Sequence, residues 1–78
     1  MTESAIKELC FQKIYTENKF YYYSFSVIGI DFVSNGNDHV DEEWYVDFFL
    51  PNSTKPSIRF HNADDVKHII KIITKNKI

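Results

Sequence analysis

Phe20-Tyr21-Tyr22-Tyr23-Ser24-Phe25-Ser26-Val27-Ile28-Gly29-Ile30-Asp31-Phe32-Val33 is the stretch on which the fold of this chain turns. Aromatic and β-branched residues at this density fit a pleated, half-buried surface. Asn35-Gly36 follows, then a second aromatic run, Trp44-Tyr45-Val46-Asp47-Phe48-Phe49-Leu50. Asn-Gly between two such runs is the strongest short-range hairpin signal, so the sequence predicts a long aromatic hairpin turning there. A two-residue loop places Val27 opposite Trp44, Phe25 opposite Val46, Tyr23 opposite Phe48 and Tyr21 opposite Leu50. All four pairs are apolar and share one face, as cross-strand packing requires. The other face pairs Ser26 with Tyr45, Ser24 with Asp47 and Tyr22 with Phe49. The alternation changes phase near Gly29, after which Ile28, Ile30 and Phe32 carry the apolar character. A glycine at such a break predicts a bulge or a strong bend.

Working outward, Ser57 to His61 alternates Ile58 and Phe60 with Ser57, Arg59 and His61, the pattern of a third strand. Pro51 and Pro56 bracket the polar loop before it. Placing Leu50 opposite Ile58 sets Phe48 opposite Phe60, Arg59 beside Phe49 and His61 beside Asp47. Asn62 is a good helix cap, with Asp64 and Asp65 in the first turn where the helix dipole favours anions. Val66, Ile69, Ile70 and Ile73 then recur at helical spacing, predicting an amphipathic helix of about three turns whose apolar stripe covers the sheet. At the other end, Ala5, Ile6, Leu9, Cys10 and Ile14 have helical spacing. Leu9 to Tyr15 also reads as a strand returning through Thr16-Glu17-Asn18-Lys19. The fold class is therefore α+β, one small domain over residues 1–78. Its three-stranded antiparallel sheet is packed by a C-terminal helix, in the order αβββα with ββββα as the alternative.

Length and composition bound the rest. Seventy-eight residues leave room for one small core, to which seven Phe, five Tyr and one Trp contribute. Per-residue scaling puts the stability of such a domain at roughly 4–12 kcal/mol. The single cysteine, Cys10, excludes an internal disulfide and reads as a small buried hydrophobe. The acidic N-terminus lacks the apolar region of a secretion signal, and no apolar run approaches membrane-spanning length. The expected location is the cytoplasm. Eight lysines against one arginine, with abundant Ile, Asn, Tyr and Phe, suggest an AT-rich coding sequence, as in a low-GC bacterium or its phages.

Three surface features are candidate sites. The proposed register gathers Tyr22, Tyr45, Asp47, Phe49, Arg59 and His61 on the outer sheet face, flanked by Ser24 and Ser26. Aromatic residues around one arginine have the composition of a protein-binding hot spot. Asp38, Asp41, Glu42 and Glu43 form an acidic hairpin tip without Lys or Arg; their spacing matches no calcium loop. Lys67, Lys71 and Lys75 repeat every four residues and form a stripe able to meet phosphates. No Cys/His metal spacing, glycine-rich phosphate loop or Ser-His-Asp arrangement occurs, so neither catalysis nor a metal or other cofactor is expected.

The order αβββα resembles the double-stranded RNA-binding domain. That family reads a minor groove with a Gly-Pro-x-His loop and grips phosphates with a Lys-Lys-x-Ala-Lys cluster opening its last helix. Here the loop reads Gly36-Asn37-Asp38-His39, without the proline. The helix opens Ala63-Asp64-Asp65-Val66-Lys67, acidic where the family is basic, so the topology is shared and the phosphate contacts are missing. The ββββα order is similar to single-strand-binding proteins of the transcription-coactivator type, without their basic sheet. The expectation is a non-enzymatic protein-binding module, of the kind a phage uses to inhibit or regulate a host protein by occluding its surface. The aromatic face or the acidic tip would make the contact, and a homodimer is a further expectation. The alternative is a nucleic-acid-binding domain using the lysine helix.

Overall fold

Residues 1–27, 29–37 and 43–75 are described by a computed structural model. The elements run α1 (Glu3–Glu8), β1 (Gln12–Tyr15), β2 (Tyr21–Val27), β3 (Ile30–Ser34), β4 (Val46–Phe49), β5 (Ile58–Phe60) and α2 (Ala63–Lys75). The strands form one antiparallel sheet of five, ordered as in the chain. The α+β antiparallel class holds, but the sheet has five strands and not three. Both N-terminal readings are half right, because a short helix and a strand follow one another. The likeness to the double-stranded RNA-binding domain reduces to the order helix, sheet, helix.

The largest correction begins at Gly29. It sits at φ 77°, the left-handed region open to glycine, in the two-residue connection that sets Val27 opposite Ile30. The hairpin therefore closes inside the aromatic run, and the phase change is a turn instead of a bulge. β3 inserts between β2 and β4, so Phe25 faces Phe32 and Phe32 faces Phe48. None of the pairs predicted from an Asn35-Gly36 turn forms. The parity nevertheless survives, since alternation alone decides which side chains share a face.

The segment around Asn35-Gly36 does something else. Ser34 Oγ accepts from Tyr23 N at 2.8 Å, and Asn35 Oδ1 accepts from Tyr45 N at 3.0 Å. Asn37 Oδ1 accepts from Tyr21 N at 2.9 Å while Asn37 N donates to Tyr21 O at 3.0 Å. Side-chain oxygens thus continue the ladder where the strand backbone departs, keeping its buried N–H groups paired.

At the N-terminus, Thr2 Oγ1 caps α1 by accepting from Ala5 N at 3.2 Å. The helix ends where Cys10 turns to φ 63°, which leaves that cysteine exposed and not buried as expected. β1 then pairs with β2 through the Thr16–Lys19 turn, with Thr16 N donating to Phe20 O at 2.7 Å.

One sheet face carries the core. Phe11, Tyr23, Phe32, Val46, Phe48 and the neighbouring Trp44 are buried against Ile6 of α1 and Val66 of α2. Ile69, Ile70 and Ile73 complete the α2 stripe, and Asn62 Oδ1 caps that helix by accepting from Asp64 N at 2.8 Å. Both helices lie on this face. Glu3 of α1 ties itself to the sheet as well: its Oε2 accepts from Tyr21 at 2.8 Å and from the buried Tyr23 at 2.6 Å. Among the described residues no helix is long and apolar enough to cross a membrane.

Candidate functional site

The face turned away from the helices takes its side chains from the alternate positions of every strand. The registers order them into cross-strand rows. One row runs Gln12, Ser24, Val33, Asp47, Arg59. A second group, at the end where Asn35 Oδ1 accepts from Tyr45 N, holds Ile14 opposite Tyr22 on one side of β3 and Tyr45 beside His61 on the other. A third, toward the Gly29 turn, runs Ser26, Asp31, Phe49. All six residues expected on the outer face are therefore on it. Tyr22, Tyr45, Asp47 and Phe49 are half-buried, and Arg59 and His61 are exposed. Among the described residues no helix covers them.

Four of the six meet directly. Arg59 Nε donates to Asp47 Oδ1 at 2.8 Å and its Nη2 to Oδ2 at 3.3 Å. The guanidinium lies over the Tyr45 ring at 4.0 Å from the centroid, and the His61 ring stands 6.3 Å from that of Tyr45. The expected neighbours were displaced by two residues: Arg59, not His61, opposes Asp47. A shift of two preserves parity, so the face was right and the partner wrong. Arg59 is 49% exposed against 14% for Asp47, so the pair contributes less than about 1 kcal/mol to folding. Its effect is to hold a cation flat on an aromatic ring, an arrangement that strengthens on desolvation. The carboxylate of Asp47 raises the Arg59 pKa above its ordinary value.

Tyr22 lies on β2, separated by β3 from the strand that carries Phe49, and does not oppose it. Phe49 sits at the far end, opposite Asp31, whose carboxylate accepts from Ser26 Oγ. Ile14 and Val33 belong to this face and were missed. Ile14 fits both a helical spacing and a returning strand, and Val33 lies beyond the phase change, where the sequence gives it no face. The signal for Val33 was the phase change at Gly29.

The other candidates are not brought into this face. Asp38, Asp41 and Glu42 lie outside the described residues. Glu43 is exposed and accepts from the Met1 ammonium at 2.7 Å, which holds its carboxyl below the ordinary value. Lys67, Lys71 and Lys75 are exposed along α2, and none of them makes an ion pair among the described residues. Among those residues no group of three or more His, Cys, Asp or Glu is placed to hold a metal ion. No protein-family model matches the chain, and neither curated proteins nor solved structures contain a significant match.

Proposed function

We propose that the chain is a non-enzymatic protein-binding module whose open sheet face is its docking surface. The observation that supports this reading is the face itself: Tyr22, Tyr45, Phe49, Ile14 and Val33, half-buried and covered by no helix among the described residues, share it with one arginine that lies over an aromatic ring. Rigid aromatics give large contact area at low entropic cost, and an arginine already oriented by Asp47 loses little freedom on docking. The face suits protein better than nucleic acid, because Asp31 and Asp47 stand where phosphates would approach. A module of this size acts by covering a patch on a larger protein, the mode of a phage-type inhibitor or regulator of a host protein.

The second reading, nucleic-acid binding through α2, is favoured by one observation: Lys67, Lys71 and Lys75 stand exposed at four-residue spacing and make no ion pair among the described residues. The test is capture of partners from source-cell lysate by the tagged chain, with and without nuclease. Three forms are compared: wild type, Phe49→Asp and Lys67→Glu/Lys71→Glu. A stoichiometric protein that survives nuclease and is lost with Phe49→Asp, while that variant keeps its far-UV circular dichroism and melting transition, supports docking through the face. Capture that vanishes with nuclease and with the lysine variant overturns it in favour of the helix.

A further inference from the structure

We infer that the free chain pairs with a second copy of itself through this same face, so that the docking surface is masked until a target competes for it. The inference rests on reading the face as a docking surface and names its resting occupant. The polarity of the rows carries it. About β3, one end of the face is aromatic on both sides, with Ile14 and Tyr22 toward β1 and Tyr45 and His61 toward β5. The row Gln12, Ser24, Val33, Asp47, Arg59 is polar on both sides, with an apolar centre. A two-fold axis running along β3, in the plane between two copies, sets β4 over β2 and β5 over β1. Tyr45 of one copy then meets Tyr22 of the other, and Val33 meets Val33. The Asp47–Arg59 pair meets Ser24 and Gln12, whose hydroxyl and amide supply both donors and acceptors. An isologous contact requires a patch complementary to itself, and this pattern is one. Asp31 meets its own copy at the end of the sheet toward the Gly29 turn, where its carboxylate is exposed and the like charges are screened by solvent.

Pairing through the sheet edges is disfavoured by the same structure. β5 has three residues and follows Pro56, while β1 has four and carries Lys13, whose ammonium lies 3.9 Å from the Tyr21 ring centroid on the core side. Short edges and inward-pointing charge are the usual means of blocking strand addition. The face offers a footprint of about 24 by 16 Å at ordinary strand and residue spacings. That projects to about 400 Å² per copy, roughly half the standard 800 Å² per partner, so the dimer is a weak and reversible one, with a Kd on the order of 10 μM or higher.

The test is sedimentation equilibrium of the full chain from about 1 to about 500 μM, a range that brackets that Kd. Val33→Lys, Val33→Glu and their equimolar mixture are run beside the wild type. The expected result is a mass rising from 9.3 kDa to twice that in the wild type. Each variant alone remains at one chain, and the mixture recovers the dimer because opposite charges then meet across the axis. Amide NMR shifts of the wild type on dilution need no variant and should change in the rows of Tyr22, Val33 and Tyr45. A single-chain mass throughout overturns self-pairing while leaving the docking reading to the Phe49→Asp capture experiment. A dimer that tolerates both Val33 variants, or dilution shifts confined to β1, β5 or the helices, also overturns it.

Discussion

Gly29 shows how much one residue decides. Its φ of 77° is costly for a side chain, while a Cβ placed there would sit 3.6 Å from Pro51 Cγ, an ordinary contact. Gly29→Ala should therefore destabilise through the backbone alone, by about 1–2 kcal/mol, measurable as a lower urea midpoint at unchanged m-value. Glu3 is the second such residue. Its carboxyl is held below the ordinary value of 4.5, first by the Tyr23 hydroxyl and then by Tyr21, against the opposing effect of burial. Burial and Glu3 in turn push the Tyr23 phenol well above its ordinary value, so it remains a donor. Because the folded carboxyl titrates below the unfolded one, its contribution is complete above the unfolded pKa and disappears as pH falls through the folded value. Glu3→Gln should cost about 1–2 kcal/mol at neutral pH and flatten the loss of stability below about pH 5. Thermal melts of both proteins across that range would show it, and parallel curves would exclude the assignment.

At the scale of elements, the end of β3 deserves the closest test. Ser34 is 6% exposed, and its Oγ stands in for a backbone carbonyl toward Tyr23 N. Ser34→Ala leaves that buried N–H without its partner and should cost about 1–3 kcal/mol, read from chemical denaturation. Amide exchange should rise first at Tyr23. α2 behaves differently, since Lys67 and Lys71 are exposed on it and make no ion pair among the described residues. Lys67→Glu with Lys71→Glu should change the melting temperature little, the usual outcome for exposed helix positions. The elements were unequally legible beforehand. α2, with its cap, acidic first turn and apolar stripe, was read nearly to its ends, because all its determinants are local. α1 and β1 were not separated, because Ile6, Leu9 and Ile14 satisfy helical spacing while the break at Cys10 is a backbone event with no glycine to mark it.

Over the whole molecule, both helices lie on one side of the sheet, and among the described residues no helix covers the other. That asymmetry explains why a chain with thirteen aromatic residues, counting seven Phe, five Tyr and one Trp, keeps several of them half-exposed. Replacing Tyr45 with Ala should leave stability within about 1 kcal/mol, because the Arg59 contact it loses is partly solvated. The same change should weaken association through the face. Calorimetric melting and sedimentation of the one variant separate the two effects, and a large loss of melting temperature would place Tyr45 in the core instead.

What the sequence by itself determined is which side chains share a face. Period-two alternation placed Tyr22, Tyr45, Asp47, Phe49, Arg59 and His61 together and Tyr23, Val46 and Phe48 in the core, whichever strands were adjacent. It likewise determined α2, whose signals lie within one stretch of chain. Only the tertiary structure decided the neighbours. Local preference ranks Asn35-Gly36 as the stronger hairpin turn, yet the chain closes at Gly29, so the local signal is overridden by packing. Closing at Gly29 frees Phe32 to lie between Phe25 and Phe48 at the centre of the core, with ring centroids 6.1 and 5.2 Å away. That burial depends on chain segments distant in sequence, so it exists only once the sheet has formed. The same nonlocal choice put Arg59 opposite Asp47 and Val33 at the middle of the open face.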